Sequence, residues 1–339
     1  MNSRRQTFVI AEAGVNHNGS VELALELVSA ARRSGADAIK FQTFNAERLA
    51  SRHAAKASYQ KRLTSGDDSQ YGMLKALELG PDDFRAIVDQ CRREGIEFLS
   101  SPFDEPAADL LNSLGVRRFK IASGEMTNLP LLRHLAATGK ELIVSTGMSW
   151  LGEVETAVRT LESAGAGHTT LLHCVTDYPA PVDQVNLAAM TTLSQAFGLP
   201  VGYSDHTTGI EIAVAAVALG ATVVEKHFTL DVNMLGPDHA ASLDPAAFTR
   251  MVAAIRNTER ALGDGRKRPA PCELANRDVV RKSVVAARDL AAGTRLTAQD
   301  LAIKRPGTGL APSMLPDLLG RKTTRAVARD DLIRREDVQ

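Results

Sequence analysis

Two periods alternate along the first 265 residues. Short β-rich runs recur at Phe8–Gly14, Ala38–Phe44, Glu97–Phe103, Arg118–Glu125, Glu141–Met148, Thr169–Tyr178, Val201–Thr207 and Thr222–Leu230. Between them lie stretches with helical spacing. Val21, Leu25 and Val28 share one face in the first, and Ile210, Val214 and Val217 in the seventh. Phe248, Met251, Val252 and Ile255 do so after the eighth run. Eight strand–helix units in about 250 residues is the count of a TIM (β/α)8 barrel. A doubly wound sheet is the runner-up, but no GxGxxG follows the first strand. The segment Asn45–Gly80 is too long for a plain strand-to-helix connection and is expected to form a functional loop over the top of the barrel.

The pattern changes after residue 265. Residues 266–279 read as a linker, opening with Arg266-Lys267-Arg268-Pro269-Ala270-Pro271. Residues 280–339 read as a small β-rich module. An internal echo, SVVAARDLAAGTRLTAQDL against RAVARDDLIRREDV, suggests two related half-units. A module of about 60 residues has a meagre core, so it is expected to pack against something larger.

Composition narrows the function classes. The chain is 44% hydrophobic and 24% charged, and no apolar run reaches the length of a membrane span. No signal-peptide pattern precedes Phe8-Val9-Ile10. Cys91, Cys174 and Cys272 are far apart and form no CxxC pair, so neither a zinc ribbon nor a disulfide framework is indicated, and a cytoplasmic location fits. Net charge is zero, with 40 basic and 40 acidic residues. That zero hides an asymmetry: residues 266–339 hold 16 Lys+Arg and 9 Asp+Glu, leaving 24 and 31 in residues 1–265. A basic tail on an acidic body suits an anion or a docking contact. It lacks the aromatic interleaving of a nucleic-acid binder.

Barrel chemistry sits at the C-terminal strand ends, and here those ends are polar. Lys40 and Gln42 share a face of the second run, because strand side chains alternate. Glu12 ends the first run and Ser101 stands near the end of the third. Lys120 lies in the fourth, with Ser123 and Glu125 at its exit. Ser145 follows in the fifth, and Thr176 and Tyr178 in the sixth. Ser204 and His206 share a face of the seventh, Glu225 and His227 of the eighth. An unpaired ammonium inside an apolar strand is costly, so two lysines near Ser123, Ser145 and Gly147 point to an anion cradle. Histidines at the tops of consecutive strands can converge on one ion with open positions. Each has a bland alternative as a satisfied core residue, and Glu12 could equally be the structural partner of a lysine. Asp238, on the loop after the last strand, is within plausible reach of such a metal. His17 and His173 read as structural.

The ordered set IAEAGVNHNGS, KFQTF, SSPF, FKIASGE, STGM, HCVTDYPAP, VGYSDHT, EKHFTL, GPD and IKRPGTGL resembles the N-acetylneuraminate (sialic acid) synthase family over nearly the whole chain. The likeness is greatest to its N,N'-diacetyllegionaminate synthase branch. It implies a TIM barrel followed by an antifreeze-like (SAF) module. It also implies condensation of phosphoenolpyruvate with an N-acetylated amino sugar, a divalent metal (Mn2+ or Mg2+), and a domain-swapped homodimer. By that resemblance His206 and His227 match metal ligands, and Lys40, Lys120, Ser123 and Ser145 match residues that hold phosphoenolpyruvate. Gln42 and Ser204 line the same site, and Ser101 keeps a hydroxyl where some relatives have Thr. Glu12, Tyr178 and Asp238 match residues around the sugar and the reacting carbons. Arg305 matches an arginine delivered by the partner subunit's small module. Thr176 stands where simple bacterial sialic acid synthases carry Asn. The smaller side chain leaves room for a bulkier, less polar group, which favours the legionaminate-type acceptor over N-acetylmannosamine.

Overall fold

A computed structural model describes residues 6–56 and 69–339. The chain divides into two compact units, one ending at Gly263 and the other running from Asp264 to Gln339.

The first unit contains eight parallel strands: β1 (Phe8–Gly14), β2 (Ala38–Thr43), β3 (Glu97–Pro102), β4 (Arg118–Ile121), β5 (Glu141–Ser145), β6 (Thr169–His173), β7 (Val201–Asp205) and β8 (Val223–His227). Their hydrogen-bonded order is β3-β2-β1-β8-β7-β6-β5-β4, and the two end strands lie side by side, which closes the barrel. Seven begin at the residue where the hydrophobic pattern places them, and the eighth begins one residue later, at Val223. All but the first stop earlier than expected, most of all the fourth, fifth, sixth and eighth, because the chain turns out of the ladder as soon as it reaches the polar rim. The fourth, for instance, passes directly into a 3-10 turn at Ser123–Glu125.

Helices cover the outer face. Val21–Arg33 is capped by Ser20, whose hydroxyl accepts from the Leu23 N–H, and Pro245–Leu262 is capped by Asp244. Their apolar stripes, including Leu27, Val28, Phe248, Met251 and Ile255, bury against the outward-facing strand residues.

The barrel interior is layered. Near the N-terminal strand ends, Arg118 pairs with Glu97 (2.8 Å) and Glu141 (2.9 Å) and stacks over Phe8. Above it Ile10, Ala38, Leu99, Ile143, Leu172 and Val223 form an aliphatic plug. Side-chain alternation then brings the next inward position of each strand into a polar layer at the C-terminal end. The plug supports this layer from below and separates it from solvent at the far end.

The described portions of Asn45–Gly80 cap part of the top. They carry helices Ala46–Leu49 and Gln70–Leu77, which pack with Val15, Phe44 and Phe103 in a separate apolar cluster. Residues 57–68 of that segment lie outside the described residues.

The second unit has one antiparallel pair, β9 (Ser283–Ala286) with β10 (Leu301–Lys304), and several isolated bridges. The sequence echo is a physical repeat. Arg288 donates to Asp300 (2.7 Å) and Arg325 to Asp337 (2.6 Å). Both aspartates are buried, and each caps its own 3-10 turn. Gly293 and Asp330 take the same left-handed conformation, and Leu290 bridges Val327. The stretch read as a linker includes a 3-10 turn at Pro271–Glu273 and the start of a helix, Leu274–Val280. That helix is tied to the turn after β10: Gly307 N–H donates to Asp278 O (2.7 Å) and Arg305 Nε to Val280 O (3.1 Å).

Candidate active site

The polar layer opens into a cavity of about 330 Å³ at the C-terminal end of the barrel. Glu12, Lys40, Gln42, Ser101, Lys120, Ser123, Ser145, Thr176, Tyr178, Ser204, His206, His227 and Asp238 all line it. Residues from all eight strand ends therefore meet in one space. Two expected residues are not in this lining. Glu125 sits in the 3-10 turn after β4 and accepts from Asn128 Nδ2 at 2.7 Å. Arg305 belongs to the second unit, where it is exposed. His17 and His173 lie outside the lining with partners of their own, the Gly19 N–H and the Val185 carbonyl.

A buried charge cluster forms one side of the cavity. Register pairs Glu12 with Lys40 across β1–β2, and Ser204 with Glu225 across β7–β8. Lys40 Nζ lies 3.1 Å from Glu12 Oε1, 3.4 Å from Glu225 Oε2 and 3.4 Å from Ser101 Oγ. Lys120 Nζ donates to Ser145 Oγ at 2.7 Å and faces Glu225 Oε1 at 3.4 Å. Glu225 also accepts from Ser204 Oγ at 2.9 Å. Strand alternation sets it on the same face of β8 as His227. Only the closed barrel brings Lys120 across from it.

These neighbours separate the ionisations. Burial drives Glu12 up to about 7, with Lys40 opposing and Glu225 adding to the rise. Burial also works against Glu225, but Lys120, Lys40 and the Ser204 hydroxyl outweigh it and bring this carboxylate down to about 2. Burial lowers Lys120, aided by repulsion from Lys40. Lys40 also loses solvation, yet its two carboxylate partners raise it.

The imidazoles stand beside this cluster, with Ser204 Oγ, which donates to Glu225, 3.3 Å from His206 Nε2. The His206 and His227 ring centroids are 5.5 Å apart, and Tyr178 stacks at 4.3 Å from the His206 ring. Burial holds His206 down at about 4 and His227 well below its ordinary value, so both are neutral near pH 7. His206 Nδ1 donates to Val175 O at 2.6 Å, leaving the Nε2 lone pair on the side of the Ser204 hydroxyl. His227 Nδ1 is buried without a hydrogen-bond partner and lies 3.8 Å from Asp238 Oδ2. Burial raises Asp238 to about 6.

Two neutral imidazoles, one with an orphaned ring nitrogen, are a donor set that suits a divalent cation. Among the described residues no three or more His, Cys, Asp or Glu side chains form a metal cage.

Close approach shapes another side. A Cβ at Gly147 would fall 2.3 Å from Thr176 Oγ1, 2.8 Å from Ser123 Oγ and 2.9 Å from Cys174 Sγ, so only glycine fits there. The Gly147 N–H donates to Ser123 Oγ at 3.0 Å. The buried Thr176 hydroxyl has no hydrogen-bond partner. Val15, Met73, Leu74, Leu77 and Phe103 give the outer wall an apolar lining.

Comparison with known proteins places this geometry. The model of the NeuB family matches residues 27–267. The chain belongs to the NeuB family. A SAF domain matches residues 281–339. Among NeuB-family relatives, the N,N'-diacetyllegionaminic acid synthase of Legionella pneumophila is 49% identical over 93% of this chain and 90% of that protein. The enzyme of the same name from Campylobacter jejuni is 48% identical over 97% and 99%. The crystal structure of N-acetylneuraminic acid (sialic acid) synthetase from Leptospira borgpetersenii superposes with a TM-score of 0.72 at 35% identity, covering 80% of this chain and 90% of that one.

Proposed function

We propose that the chain condenses phosphoenolpyruvate with the open-chain aldehyde of an N-acetylated mannosamine-type sugar. The products are a nine-carbon 2-keto acid and inorganic phosphate. The observation that carries this reading is the pair of buried ammonium groups, Lys40 and Lys120, beside two neutral imidazoles in one cavity. A trianionic enol phosphate needs the former, and an aldehyde awaiting activation needs the latter.

Lys40, Lys120, Ser123 and Ser145 bind the phosphate and carboxylate, and Gln42, Ser101 and Ser204 complete the polar lining. C3 of phosphoenolpyruvate forms the new bond to the aldehyde carbon, whose oxygen takes a proton. Water adds to C2, phosphate leaves with cleavage of its C–O bond, and C2 becomes the ketone. His206 and His227 would hold Mn2+ or Mg2+, with Asp238 alongside, and the ion supplies Lewis-acid polarisation of the aldehyde oxygen. Glu12 and Asp238, raised to about 7 and about 6, are suited to exchange protons with water near neutrality. Tyr178 packs against the imidazoles and shapes the sugar side. Arg305 completes the sugar site in this reading, from the partner subunit of a swapped homodimer. Three free cysteines suit a cytoplasmic enzyme, and among the described residues no helix is long and apolar enough to cross a membrane.

The favoured acceptor is 2,4-diacetamido-2,4,6-trideoxymannose. Its support is threefold: the names of the relatives near half identity, the small Thr176 side chain, and the apolar wall from Val15 to Phe103, which suits a deoxygenated C6. N-acetylmannosamine is the rival. Turnover of both sugars side by side decides, with higher kcat/KM expected for the diacetamido sugar. Equal or better turnover of N-acetylmannosamine would overturn the assignment of the acceptor. Pyruvate in place of phosphoenolpyruvate should give no product; if it does, the enzyme is an aldolase.

A further inference from the structure

On the outer face of β7 and β8 lies an ion pair that the reaction does not use. Asp205 and Lys226 are register partners, and both side chains are fully buried. Lys226 Nζ lies 2.8 Å from Asp205 Oδ2 and donates to Thr207 O at 2.5 Å. The other oxygen, Asp205 Oδ1, accepts from the Thr207 N–H at 2.9 Å and from Thr207 Oγ1 at 2.8 Å.

Each member of this pair is the chain neighbour of a cavity imidazole: His206 follows Asp205, and His227 follows Lys226. The β7–β8 ladder ends at Asp205 and Lys226, so no backbone pairing between these strands fixes the next step. Lys226 carries the connection two residues beyond Asp205, to the Thr207 carbonyl. From the other side His206 is held by its own Nδ1 bond to Val175 O and by Ala180 N–H, which donates to His206 O at 2.8 Å. The segment 205–207 is thus clamped between the β6 loop and β8.

Stability does not account for such a pair. Stripping water from two charges is expensive, and apolar side chains of similar volume are commonly as stable or more so. What apolar packing lacks is direction. We propose that Asp205, Lys226 and Thr207 are positioning residues that hold His206 and His227 at a fixed separation, ready for one divalent cation. The inference rests on the reading of the imidazole pair as a metal site.

The test is Mn2+ affinity of the full-length protein without substrates, by electron paramagnetic resonance of the free ion, beside metal-free thermal unfolding. The Asp205→Leu/Lys226→Met double variant should melt at or above the wild-type temperature, yet bind Mn2+ about 10–100-fold more weakly. Thr207→Val should weaken binding in the same direction. A folded double variant with wild-type Kd would overturn the positioning role and leave the metal reading intact. If the double variant does not fold, an unchanged Kd in Thr207→Val overturns it instead. Absence of Mn2+ binding by the wild type contradicts the metal reading itself, and is seen without any substitution.

Discussion

Glu12 and Glu225 are held against one ammonium group: Lys40 Nζ lies 3.1 Å from the first carboxylate and 3.4 Å from the second. Their environments nevertheless push their ionisations apart, to about 7 and about 2. Two carboxylates set in this way can divide the work, one exchanging a proton and the other holding a permanent charge.

The first prediction concerns pH. If ionised Glu12 accepts a proton from the attacking water, kcat/KM should fall as pH drops below about 7. Glu12→Gln should be slow and lack that limb. Stability carries the opposite sign. The folded-state value lies above the ordinary 4.5, so the stabilisation from Glu12 is complete below 4.5 and lost as pH rises through about 7. Thermal unfolding of Glu12→Gln should therefore gain on the wild type between those pH values. A pH-independent difference in melting temperature contradicts the shift.

Glu225 neutralises both lysines. In Glu225→Gln, Lys40 retains Glu12 as a partner, but Lys120 keeps only neutral ones at hydrogen-bond range. Removing one partner of a buried pair costs about 3–5 kcal/mol, and denaturant unfolding should show a loss of that order. Excess phosphoenolpyruvate should recover part of it, because the ligand brings the missing negative charge.

Lys120 is aimed by Ser145 and Glu225. Hydrogen bonds to charged groups are worth about 1.5–3 kcal/mol, so Lys120→Ala should lower kcat/KM for phosphoenolpyruvate by about 10–150-fold. Steady-state kinetics should show the sugar KM little changed. Equal damage to both substrates would remove Lys120 from the enol phosphate.

The shape of the barrel was legible in the sequence because its strands are buried on both faces and its helices on one, so the two periods separate cleanly. The polar layer was legible for a related reason: Lys40, Lys120 and Glu225 interrupt apolar runs at inward positions. Partnership across the barrel was not. Nothing in strand alternation says that Glu225 on β8 meets Lys120 on β4, because closure alone brings them together. Glu125 shows the other limit. Its place at the exit of the fourth run puts it near the polar rim, but the chain there turns into a 3-10 helix and the side chain accepts from Asn128. The helix Leu274–Val280 is not legible in the sequence, because the Pro and Arg residues before it dominate the local pattern.

For Arg305, Arg305→Ala should raise the KM for the sugar far more than that for phosphoenolpyruvate. Mixing it with a barrel-inactive His206→Ala variant should restore part of the activity through hybrid dimers. Comparable loss for both substrates, with no restoration, would remove Arg305 from the sugar site.

The most direct measurement is phosphate release from phosphoenolpyruvate by metal-stripped enzyme, with sugar and Mn2+ added separately and together. The account predicts release only when both are present, one phosphate per 2-keto acid formed, and none in the His206→Ala/His227→Ala double variant. Release without sugar, or undiminished release after loss of both imidazoles, would contradict it.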